Sequence, residues 1–171
     1  DESLSIYSNI CKRGKERIRR AGEKIKEEAG IMSQNLDIGF RVLKLDSTNM
    51  KDVYYAADEY SQGMLTGLES NIKEDRSDMD LLFGCLLEWG LSLSLPHTSD
   101  EVNGILVHTI NDGDLIACFA HNINEVVVKE IAKRQPLRAV FRDSSFANSP
   151  EKINVEEIFK LMAPNTSVKV L

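Results

Sequence analysis

Residues 105–141 read ILVHTINDGDLIACFAHNINEVVVKEIAKRQPLRAVF, and this stretch decides the fold. Two apolar runs, Ile105–Ile110 and Leu115–Ala120, flank Asn111-Asp112-Gly113-Asp114. Asp-Gly between short apolar runs favours a tight turn, so the pair is expected as a β-hairpin. Asn122 with Glu125 three residues on is a capping-box pattern for a helix running to about Arg134, and Gln135-Pro136 stops it. Leu137–Phe141 is the next strand.

The same pattern continues to residue 171. Asn154 and Glu157 are expected to cap a last helix with Ile158, Phe159, Leu161 and Met162 pointing inward, and Ser167–Leu171 closes as a strand. The second half thus reads strand, strand, helix, strand, helix, strand. Right-handed crossovers then give an α/β fold with a mixed, largely parallel sheet, the hairpin at one side and flanking helices.

Upstream, Ser77 with Asp80 is a second capping pattern and Gly90 a natural stop. Between them Met79, Leu81, Leu82, Phe83, Cys85, Leu86, Leu87 and Trp89 make a helix apolar on nearly every side. Such a helix must be covered all round, either centrally in the fold or with Leu82, Leu86 and Trp89 given to a partner chain. The central position is favoured. Leu91, Leu93 and Leu95 alternate with serines as a short strand would, and residues 96–103 read as a polar loop. Residues 58–69, with Tyr60, Met64, Leu65 and Leu68 on one side, have weak helical character. Phe40, Val42, Leu43 and Leu45 suggest a strand after a linker over Glu27–Asp37.

The N-terminal part differs in kind. Residues 12–26 hold eight Lys/Arg against two Glu, a local +6 in a chain whose total is −6. Leu4, Tyr7, Cys11, Gly14, Ile18, Ala21 and Ile25 recur at alternating spacings of three and four, which predicts a long basic amphipathic helix over about residues 3–28. Gly14 and Ala21 leave room for another backbone to approach. The helix reads as the tail of a neighbouring domain, built to lie on something else. Arg13, Arg17, Arg20 and Lys24 form one ridge that suits DNA phosphates or an acidic partner surface. A solvated helix, or one paired with the acidic remainder, accounts for the same charges. No aromatics interleave with them, which excludes a single-strand stacking platform.

With 171 residues, 42% hydrophobic and 28% charged, the chain has the composition of a soluble globular protein. No apolar run reaches the roughly 20 residues of a membrane span. Cys11, Cys85 and Cys118 are odd in number and sit in apolar patterns, as free thiols in a reducing cytoplasm do. His97, His108 and His121 are scattered without metal-ligand spacing, so no metal site is expected. No phosphate loop or dinucleotide fingerprint is present. Asp112 and Asp114 belong to the hairpin turn rather than to a calcium loop. One place has geometric promise as a ligand loop: Arg142-Asp143-Ser144-Ser145 leaves the carboxyl end of a parallel strand, where open α/β sheets bind ligands. A salt bridge fixing the loop is the plainer reading.

The residues also resemble a known family. Ile10–Ile25 is similar to the helix near the end of the methyltransferase domain in modification subunits of type III restriction–modification systems. Gly39–Asp46, Ile72–Arg76, Leu86–Leu91, Asn111–Phe119 and Val140–Phe146 resemble, in order, the C-terminal region that follows. The resemblance implies an S-adenosylmethionine-dependent DNA methyltransferase acting on adenine N6, working as a homodimer with a restriction subunit. It implies a division into 1–37, the terminal helix of the methyltransferase domain plus linker, and 38–171, an α/β assembly domain. The Asp-Pro-Pro-Tyr and Phe-x-Gly-x-Gly loops that carry the family's chemistry are absent, since Pro96, Pro136, Pro150 and Pro164 are never adjacent and no Phe begins the glycine pattern. The expectation is therefore a piece that starts after those loops, with no catalytic or cofactor-binding residue of its own; S-adenosylmethionine and DNA would belong to the intact parent. A free-standing α/β ligand-binding or enzymatic module using Arg142–Ser145 is the alternative.

Overall fold

The computed structural model describes residues 9–51, 71–146 and 149–171. Leu4 and Tyr7 of the apolar stripe, and the helical tendency at 58–69, lie outside the described residues. The chain forms two compact units, Asp1–Leu45 and Asp46–Leu171.

In the first unit, helix α1 spans Ile10–Ala29. Asn9 starts it: its backbone is extended and its side-chain oxygen accepts from the Lys12 amide at 2.9 Å. A short 3-10 turn, Gly30–Asn35, follows. The chain then returns along the helix. A Cβ on Gly22 would stand 3.1 Å from Ile38 Cβ, so the bare glycine gives the returning segment its room. The Arg19 guanidinium lies 5.9 Å from the centre of the Phe40 ring. The strand expected at 40–45 does not form. Phe40, Val42, Leu43 and Leu45 are exposed, with no neighbouring strand to pair with among the described residues. None of the described residues of this unit is buried.

The second unit carries the core. Helix α2, Asp78–Glu88, begins with the expected capping box: Ser77 Oγ accepts from the Asp80 amide, and Asp80 accepts from the Ser77 amide at 2.8 Å. The alternating leucines after it make a turn rather than a strand. Leu95 N–H reaches back to Ser92 O at 3.3 Å, and Leu91, Leu93 and Leu95 pack on the α2 side of the sheet.

Five strands follow: β1 His97–Val102, β2 Ile105–Ile110, β3 Leu115–Cys118, β4 Arg138–Phe141 and β5 Ser167–Val170. Their spatial order is their chain order. β1 with β2 and β2 with β3 are antiparallel, while β3 with β4 and β4 with β5 are parallel. The expected mixed α/β sheet is thus present, with the hairpin at Asn111–Gly113 placing Ile110 opposite Leu115. β1 replaces the expected polar loop. It is an edge strand, and its sequence HTSDEV buries only Val102 fully.

Helices α3, Glu125–Lys133, and α4, Ser149–Met162, are the two crossovers. Both pack on one face, because two successive crossovers moving the same way across a sheet with the same hand must. Their starts differ from expectation. Asn124 rather than Asn122 caps α3, accepting from the Val127 amide at 3.0 Å, because Ile123 is drawn into the core and its N–H bonds Ser145 O at 2.9 Å. α4 begins five residues before Asn154, with Pro150 in its first turn, where a missing N–H costs nothing.

Alternation along the strands sorts the core. Ile116, Cys118, Ala139 and Phe141 face Val127, Val128, Ile131, Ile158 and Phe159. Leu115, Ala117, Phe119 and Val140 face Leu81, Leu82, Cys85 and Leu86. A strand covered on both faces must be apolar throughout, and every residue of β3 is buried.

Candidate functional site

The strand-end loop is locked into the scaffold. Asp143–Ser145 form one 3-10 turn after β4, and Asp143 pairs with Lys152 in the first turn of α4. The Asp143 amide bonds Leu171 O at 2.9 Å, and the Ser145 carbonyl accepts from Ile123. The loop therefore ties the carboxyl ends of β3, β4 and β5 together. Ser145 is fully buried beside Phe146, whose ring lies tilted against Phe141 with centroids 5.9 Å apart. The Ser144 and Ser145 hydroxyls have no hydrogen-bond partner among the described residues. Arg142 is half-buried.

The cationic ridge lies along α1. Arg20 donates to Glu16 at 2.9 Å and Lys24 stands 3.7 Å from Glu28, while Arg13 and Arg17 are exposed. Exposed pairs of this kind contribute at most about 1 kcal/mol, so the cations can exchange them for a partner's anions. The apolar stripe beside them is also uncovered: Ile18 and Ile25 are 51% and 54% exposed.

The candidate interface on α2 needs correcting. Leu82 and Leu86 are fully buried against β3 and β4, so they cannot meet a partner. Trp89 is half-buried, with Lys169 Nζ 5.8 Å from its ring centre, and Lys169 pairs with Glu88.

A polar cluster that the sequence pattern did not suggest lies on the α2 face of the hairpin. β1 and β2 pair Ser99 with His108, which puts His97 on the same face one step along. Ser99 Oγ is 2.8 Å from His108 Nδ1 and 3.1 Å from His97 Nε2, and the two ring nitrogens are 3.4 Å apart. His108 is only 3% exposed, and its Nε2 has no hydrogen-bond partner among the described residues; Asp78 Oδ2, in the first turn of α2, is 3.8 Å away. The Phe119 ring lies 6.4 Å from His108. His121 is exposed and apart from this cluster.

Among the described residues no three His, Cys, Asp or Glu side chains converge on a metal position. No described helix is long and apolar enough to cross a membrane. No protein-family profile matches the chain, and no curated protein matches it either.

Proposed function

We propose that this chain is the C-terminal, non-catalytic assembly region of a site-specific adenine-N6 DNA methyltransferase of a type III restriction–modification system, a cytoplasmic S-adenosylmethionine-dependent transferase in its intact form. It serves contacts with a second modification subunit and with the restriction subunit, and the intact parent engages DNA. The observation that carries this reading is the first unit. It presents a 20-residue helix with an uncovered apolar stripe flanked by cations, and it buries none of its described residues. Such a unit gains stability only by docking on other polypeptide.

Three of the stretches that carry the family resemblance support the reading, because they build scaffold. Leu86–Leu91 closes α2, Asn111–Phe119 makes the hairpin turn and β3, and Val140–Phe146 holds β4 and its tied loop. The rival reading, a ligand module at Arg142–Ser145, has less support: Asp143 is engaged by Lys152 and Ser145 is sealed in the core.

Sedimentation velocity over a range of concentrations tests the assembly role, with self-association expected and weakened by Ile18→Glu or Ile25→Glu. Titration with S-adenosylmethionine tests the absence of a cofactor site. A strictly monomeric chain, or saturable cofactor binding, refutes the proposal.

A further inference from the structure

We propose that His97 and His108, with the Ser99 hydroxyl, form a binding site for a borderline divalent transition ion of the Zn²⁺ type, stapling β1 to β2. The three donor atoms stand 2.8, 3.1 and 3.4 Å from one another. A tetrahedral ion with bonds of about 2.1 Å has ligand-to-ligand edges of about 3.4 Å, which matches the separation of the two imidazole nitrogens, and the ion would replace the hydrogen bond between them. The hydroxyl has to move about 0.6 Å away from His108 Nδ1 and about 0.3 Å away from His97 Nε2, or to yield its corner to water. Ser99 is exposed, which leaves the remaining positions open to solvent.

The surroundings of His108 give the site its direction. A metal-bound histidine commonly donates its other ring N–H to a carboxylate, which fixes the tautomer and makes the ligating nitrogen more basic. Asp78 Oδ2 stands 3.8 Å behind His108 Nε2, just outside hydrogen-bond reach, and a small side-chain shift would let it take the ring N–H, which has no partner among the described residues. A proton held there leaves the Nδ1 lone pair facing Ser99 and His97. Burial holds the His108 ring in place, so an ion meets a prepared ligand rather than two mobile surface side chains. Imidazole and oxygen donors suit Zn²⁺, Ni²⁺, Cu²⁺ and Co²⁺ rather than Ca²⁺ or Mg²⁺.

Co²⁺ titration of the full chain, in a Cys11→Ser background to remove the exposed thiol, reads the coordination directly from visible d–d absorption. One equivalent is expected to bind, with Zn²⁺ displacing it and raising the melting temperature. His97→Gln, which keeps a hydrogen-bonding group on the half-exposed strand position, is expected to abolish the signal with the far-UV spectrum unchanged. Asp78→Asn is expected to weaken binding about 10- to 100-fold, as loss of an outer-shell partner does. No saturable Co²⁺ uptake, or uptake that survives His97→Gln, overturns the proposal.

Discussion

Replacing Leu86 by Ala removes a side chain with no solvent exposure from between α2 and the sheet, where Leu115, Ala117, Phe119 and Val140 face it. The loss has two parts, the transfer free energy of the deleted methyl-bearing carbons and the cavity they leave. Leu→Ala changes at such sites cost about 2–5 kcal/mol. The upper half of that range is expected, because the sheet on one side is fixed by ladders on both edges of β3 and cannot collapse inward. At roughly 3–5 °C per kcal/mol for a unit of this size, the melting temperature falls by about 10–25 °C. Leu87→Ala is the matched control. It sits one residue on, is 65% exposed, and should change stability by no more than about 0.5 kcal/mol. Urea unfolding of both variants at two protein concentrations distinguishes core from interface. A Leu86→Ala loss below about 1 kcal/mol, or one that grows with dilution relative to the parent, refutes the placement of α2 and restores the partner-facing alternative.

The α2 cap gives a second test. Ser77→Ala should cost about 1 kcal/mol by urea denaturation. Asp80 is held below its ordinary value of 3.8 by the Ser77 hydroxyl first and the Ser77 amide second. Its contribution is therefore present above pH 3.8 and fades as pH falls through the lower folded value, so Asp80→Asn should flatten stability-versus-pH curves on that acid side only. Burial pushes the Cys85 and Cys118 thiols up to about 11, while Cys11 is exposed. A disulfide reagent at pH 8 should modify one thiol quickly in the native chain and three after unfolding. Gly113 holds φ at +125° in the β2–β3 turn, so Gly113→Ala should cost about 1–3 kcal/mol in the same denaturation assay.

Where the fold was legible in the sequence, one local signal and one packing demand agreed. The Asn111–Asp114 turn, the unbroken apolar β3 and the Ser77/Asp80 box each matched the structure because chain-local chemistry fixes them. β1 is not legible in the sequence because an edge strand has only one paired side and can be polar; HTSDEV carries little apolar alternation. A clue was present in Asn103-Gly104, where both residues have positive φ, the pattern of a two-residue hairpin turn. Leu91–Leu95 and 40–45 show the opposite mismatch. Alternation there looked like a strand, but a strand requires a neighbour, and neither segment has one among the described residues. Helix starts slipped for a related reason. Capping patterns at Asn122 and Asn154 were locally sound, yet the pull of Ile123 into the core and the Pro150 start of α4 set the boundaries elsewhere.

The candidate sites show where linear spacing stops being informative. Arg142–Ser145 is contiguous and was visible as a strand-end loop, but its burial and its tie to Lys152 depend on α4 and β5 folding back beside it. The ridge on α1 follows from helical geometry alone, so its position could be read before any tertiary structure. His97, Ser99, His108 and Asp78 could not. His97 and His108 are eleven residues apart and meet only through the β1–β2 register, and Asp78 joins them only because α2 packs under that hairpin. A one-residue slip in the register would send Ser99 and His97 to the face opposite His108. The cluster is therefore a property of the hairpin's turn: replacing Asn103-Gly104 with residues that resist positive φ should disperse the two imidazoles and weaken Co²⁺ uptake without touching any ligand.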